Sequence, residues 1–167
     1  MTVQDRVGTN RGEIPTQAFA CSIFAMVEAL RTLDLTRPQE QRLLEAISDD
    51  IKKYTNFTAH RVSEAANAVA QSLEPPVDLQ ENTWHDQPRF DRGRQRFIVE
   101  HINPVSQLRK LCLLATGIDE VARILTEELR VAWLTREEDL LLRKNGHRFK
   151  RPDPNAAYCE AGIQLLP

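Results

Sequence analysis

No stretch of this chain approaches the ~20 consecutive apolar residues that a bilayer-spanning helix needs. The first dozen residues, Met1 to Gly12, are polar and mixed in charge. They lack the apolar core of a secretory signal, so the cytoplasm is the expected compartment and no membrane partner is expected. Cysteine is scarce: Cys21, Cys112 and Cys159 cannot all pair, and no Cys-x-x-Cys occurs. Neither a disulfide framework nor a cysteine zinc site is therefore implied. Cys21 and Cys112 lie in apolar runs and are expected as small core residues.

What is present is the composition of a globular protein of 167 residues with enough apolar content for a core. Charge is unevenly spread. Residues 13–86 hold twelve acidic and six basic side chains, whereas residues 87–167 hold eleven acidic and fourteen basic. The second half is the better candidate for meeting a polyanion.

Residues 1–14 read as a loose arm. From Gln17 to Leu33 the apolar residues Phe19, Ile23, Met26, Val27 and Leu30 recur at helical spacing. Thr36, Pro38 and Gln39 then form a capping-box start for a second helix reaching about Tyr54, with Leu43, Leu44, Ile47 and Ile51 on one face. A third helix is expected from about Thr58 to Leu73, with His60 facing solvent. Residues 15–73 therefore read as a three-helix unit, suited to dimerisation or to a protein partner. Pro75 and Pro76 end it, and residues 74–93 read as a linker or irregular excursion in which Trp84 packs back on the core and His85 is a structural or exposed histidine rather than a ligand.

The stretch Phe97–Pro104 is the pivot of the second half. An apolar run ends in Glu100 and His101 side by side before a chain-breaking proline, so a strand would hold the two on opposite faces of a rigid support. Arg92, Arg94 and Arg96 precede it at alternate positions, which in an extended segment places three guanidinium forks on one face, suited to phosphate. After Pro104 come helices over Val105 to Ala115 and Asp119 to Leu129, then a second apolar run, Val131–Leu134. Thr135 caps a further helix with Glu137, Glu138 and Asp139 in its first turn, ending at Asn145-Gly146. Lys144, Arg148 and Lys150 add basic character near its end, and Ala156 to Leu166 reads as a helical turn followed by an edge strand.

Strand, strand, helix, with an acid–His pair on the first strand, resembles the ββα-metal unit of the HNH endonucleases. Val99-Glu-His-Ile-Asn-Pro104 resembles that family's first-strand signature, and Leu134-Thr-Arg-Glu-Glu-Asp139 resembles the start of its metal-binding helix. The resemblance covers about residues 94–146. It implies a mainly α, α+β protein in which the helical unit is followed by a ββα-metal-like unit over residues 94–167, with helices inserted between its two strands. It further implies hydrolysis of DNA phosphodiesters, RNA remaining open, with Glu100 and Asp139 as ligands of one Mg²⁺ or Mn²⁺ ion and His101 as general base. Arg92, Arg94, Arg96, Lys144, Arg148 and Lys150 would contact the backbone. The family's middle Asn has no counterpart in Leu129-Arg130-Val131. That departure keeps open an alternative, an inactive HNH-like scaffold that binds nucleic acid or regulates, beside a helical interaction module.

Overall fold

The computed structural model describes residues 13–148 and 151–166. The expected N-terminal arm falls, apart from its last two residues, outside the described residues. Among the described residues the chain is mainly helical with one small sheet, an α+β fold.

Helix α1 (Glu13–Thr32) buries Ala20, Ile23 and Val27, at the three-then-four spacing of one helix face. Helix α2 (Arg37–Tyr54) opens where Thr36 donates its backbone N–H to the Gln39 side chain at 2.8 Å, and buries Ile47, Ile51 and Tyr54. Strand β1 (His60–Val62) and short helix α3 (Glu64–Gln71) follow. A long irregular connection leads to β2 (Phe97–His101), α4 (Val105–Leu114) and α5 (Ile118–Arg123). A π-helical turn, Ile124–Glu128, continues α5 before β3 (Val131–Thr135), α6 (Arg136–Lys144) and α7 (Pro154–Glu160).

The sheet order is β1-β3-β2, with β3 parallel to β1 and antiparallel to β2. The central strand is buried along its whole length, which explains its continuous apolar run. Register puts His60, Val131 and His101 in one row, and Val62, Trp133 and Val99 in the row two residues along. These rows share a face, covered by α1, α2, α4 and α5 around Val131 and by α3 around Trp133. The opposite face carries Ala132 and Leu134, covered by Leu142 of α6 and Tyr158 of α7. Glu138 joins three elements at one corner: its carboxylate accepts from Thr135 N–H at 2.8 Å and from the Ser63 hydroxyl at 2.7 Å, while Thr135 Oγ1 accepts from Glu138 N–H.

Several expectations are corrected. The segment from Thr58 to Leu73 is not one helix. Its first part is β1, and Ser63 then caps α3 by accepting from Ala66 N–H at 3.0 Å. His60 is therefore buried, 6% exposed, rather than solvent-facing. Because β1 pairs with β3, and because α1 and α2 share a core with α4 and α5, the N-terminal helices and the second half pack as one body. Cys21 is exposed, on the outer side of α1, while Cys112 is buried as expected. Trp84 is 41% exposed, with the Arg94 guanidinium stacked on its ring, rather than buried in the core. The C-terminal segment is helical as expected, but in place of the expected edge strand α7 is followed by a single isolated bridge from Leu165 to Ser63.

Candidate functional site

Strand β2 is an edge strand, and the phase of its ladder decides what it offers. Bonds flanking the pairing run from Arg136 N–H to the Arg96 carbonyl and from Ile102 N–H to the Arg130 carbonyl. In an antiparallel ladder that phase turns the backbone of Phe97, Val99 and His101 outward, away from β3. Two of these outward positions are closed by side chains. Phe97 N–H donates to the Asp91 carboxylate and its carbonyl accepts from Gln87 Nε2, and the His101 carbonyl accepts from Arg151 Nη1 at 2.6 Å.

Arg151 is the hub. It is 2% exposed, donates through Nε to the His147 carbonyl at 2.6 Å and through Nη2 to the Glu100 carboxylate at 2.5 Å. A guanidinium fork suits this position because three donors must diverge from one plane toward separate oxygens. Burial raises the Glu100 pKa above the usual carboxylate range, with the Asp139 charge adding to it, against the opposing pull of Arg151. Helix α6, capped by Thr135, brings Asp139 to the same end of the sheet, and there Arg143 one turn later holds its carboxylate at 2.6 Å.

Glu100, His101 and Asp139 line one cavity of about 340 Å³ at this edge. Its other walls come from α2, α4 and the segment after α6. Among the described residues five cationic side chains line it, Lys52, Arg109, Arg143, Arg148 and Arg151, against the two carboxylates. Both carboxylates already face arginines, so the cavity as a whole favours an anion. The His101 pKa is pushed down to about 4, first by burial and then by Lys52 and Arg151. Its Nε2 is buried with no hydrogen-bond partner among the described residues. At neutral pH the ring is uncharged.

The donor set does not suit a divalent cation as it stands. Among the described residues no group of three or more His, Cys, Asp or Glu side chains is close enough to hold one ion. The two carboxylates that the HNH resemblance implies as ligands are each engaged by a guanidinium, and hard cations require several oxygen ligands.

Of the residues expected to bind nucleic acid, Arg148 lines the cavity, Lys144 is exposed at the end of α6, and Lys150 lies outside the described residues. Arg92, Arg94 and Arg96 do not form one face of an extended segment. Gly93 and Arg94 take left-handed φ of 75° and 52°, and the loop wraps the buried Asp91, whose carboxylate accepts from the N–H groups of Gln95, Arg96 and Phe97. Arg94 stacks on Trp84 instead, while Arg92 and Arg96 are exposed and none of the three lines the cavity. The residues that sequence reasoning missed are Lys52, Arg109, Arg143 and Arg151. Of these only Arg143, four residues after Asp139, carried a local signal.

A larger groove of about 950 Å³ between α1, β1 and α5 is lined by Tyr54, Phe57 and three arginines. No carboxylate or imidazole among the described residues lines it. No protein-family model, curated protein or solved structure matches the chain.

Proposed function

We propose that the cleft at the β2 edge binds the phosphodiester backbone of a nucleic acid. The observation that supports this reading is the five cationic side chains converging on one cavity, three of them on helices packed around the strand end. Guanidinium forks match phosphate oxygens, and a site with excess positive charge releases counterions when a phosphate enters. DNA is the expected partner, and RNA offers the same phosphate chemistry. The test is a titration of labelled single-stranded and duplex DNA across a range of salt. Affinity should fall steeply with salt, and Lys52→Gln with Arg109→Gln should weaken every sequence alike. Binding that is absent at low salt, or indifferent to these substitutions, rejects the reading.

A second reading, that the cleft also hydrolyses the backbone as an HNH-like endonuclease using Mg²⁺ or Mn²⁺, is favoured by the shared cavity of Glu100, His101 and Asp139. It requires Arg151 and Arg143 to release their carboxylates. It also requires His101 to act as a base although its pKa of about 4 is far below the range in which general bases work best. Plasmid nicking in Mn²⁺ that disappears in His101→Ala, with DNA binding retained, supports it. No nicking with any divalent ion rejects it.

A further inference from the structure

A second cavity, of about 320 Å³, adjoins the cleft and shares Lys52 and His101 with it. Its volume is at the lower end of the ~300–1,000 Å³ typical of small-ligand sites. Its remaining walls include Trp84, His85, Val99 and Asn56. The two cavities differ in character: the cleft is ringed by five cations and two carboxylates, whereas this one sets two lysines, Lys52 and Lys53, beside an indole, two imidazoles and a valine.

The indole is prepared for stacking. The Arg94 guanidinium lies 3.5 Å from the Trp84 ring centroid, and the His85 ring meets the indole edge-on at 5.2 Å. These contacts hold a ring that is otherwise 41% exposed. A partly exposed indole, fixed by a cation on one side and lining a cavity, offers a flat surface on which a planar ligand can stack.

Two polar atoms on residues lining this cavity are buried and unpartnered among the described residues. Asn56 donates its Nδ2 to the Lys53 carbonyl at 3.0 Å, which leaves its Oδ1 as an orphan acceptor. His101 Nε2 is the other. Both atoms lie behind the cavity surface, so the group presented to a ligand entering from solvent is the indole rather than either atom.

We propose that this cavity is a nucleobase subsite, taking one unpaired base against Trp84 while the phosphate of the same nucleotide enters the cationic cleft. A base has a flat π face for the indole, and the shared Lys52 lies where base site and phosphate site meet. A base stacked inside a duplex cannot enter, so the site selects single strands. The proposal rests on the reading of the cleft as a phosphodiester site.

The experiment compares a short single-stranded oligodeoxynucleotide with an abasic oligomer of the same length, using the full chain. The two carry identical phosphates. Loss of the bases should weaken binding roughly 5- to 100-fold, the range that stacking of one base supplies. Trp84→Leu should weaken the normal oligomer by a similar factor and leave the abasic one unchanged, with Trp84→Phe restoring part of the loss. Because Trp133 is fully buried, quenching of tryptophan emission on binding should be lost in Trp84→Phe. A mononucleotide that competes at comparable concentration identifies the free nucleotide as the occupant, and one that fails to compete identifies the strand. Equal binding of both oligomers overturns the base subsite and leaves the cleft standing. No binding of either overturns both. The comparison on the unmodified chain decides the matter even if a Trp84 variant folds poorly.

Discussion

Replacing Arg151 by Met removes a buried cation while keeping most of its volume, and the structure sets the size of the effect. The substitution leaves Glu100 partly buried without its counter-ion, and it removes the donors to the carbonyls of His101 and His147. Breaking a buried ion pair from one side costs about 3–5 kcal/mol, a large share of the ~5–15 kcal/mol that holds an ordinary domain together. The pH dependence of the difference carries a sign. Burial already raises the Glu100 pKa, and without Arg151 only the weaker pull of Arg143 opposes it. A carboxyl whose folded pKa lies above its unfolded value stabilises the fold below the unfolded pKa, and that contribution is lost as pH rises through the folded value. The gap between wild type and Arg151→Met should therefore be smaller near pH 4.5 than at pH 7. Urea denaturation of wild type, Arg151→Met, Glu100→Gln and the double variant measures this. The double variant should be less destabilised than the sum of the singles by at least about 1 kcal/mol. A loss under about 1 kcal/mol in Arg151→Met at pH 7, or full additivity, would show that the pair does not hold the strand end.

Other outcomes follow from the same geometry. His60 is buried with its pKa depressed to about 4. Above pH 6.5 the ring is neutral in both states, but between pH 6.5 and 4 the unfolded chain takes a proton that the folded chain refuses. His60 should contribute as much as about 3 kcal/mol to a fall in stability across that window, and His60→Phe should remove that share in a pH series of urea midpoints while leaving the share of the similarly depressed His101. Asp91→Ala strands the N–H groups of Gln95, Arg96 and Phe97 and should cost about 2–4 kcal/mol by thermal denaturation, more than any single change at the exposed Arg92 or Arg96. Arg92→Gln with Arg96→Gln should leave the salt slope of DNA binding nearly unchanged, whereas Lys52→Gln with Arg143→Gln should reduce it by about 1.4, near 0.7 per phosphate contact on a single strand. Equal effects of the two pairs would place the binding face on the loop before β2.

The strongly periodic and capped elements were legible in the chain. Strands β2 and β3, helix α6 and its Thr135 cap all read directly from apolar runs and punctuation, and so did the opposite facing of Glu100 and His101. What failed was set by tertiary partners. Three residues, His60 to Val62, are too few to show a period, and their strand exists because β3 has a second edge to pair. The alternation of Arg92, Arg94 and Arg96 looked like a strand until Asp91 folded the loop around its carboxylate. Glu100 and Asp139 share a cavity because both lie on the α6 side of the sheet, a consequence of the strand–helix order. The cations facing them could not be read. Lys52 and Arg109 come from helices whose packing against β2 has no local signature, and Arg151 meets Glu100 across 51 positions.

The central claim is that a backbone phosphate lodges in the cavity at the edge of β2. A crystal structure of the full chain with a short single-stranded oligodeoxynucleotide tests it most directly. The account predicts a phosphate within hydrogen-bond distance of Arg109 and Arg143, close to Lys52, with Arg151 still on Glu100. An oligomer bound along the Arg92–Arg96 loop or in the groove beside Tyr54, with the β2 cavity empty, would contradict it.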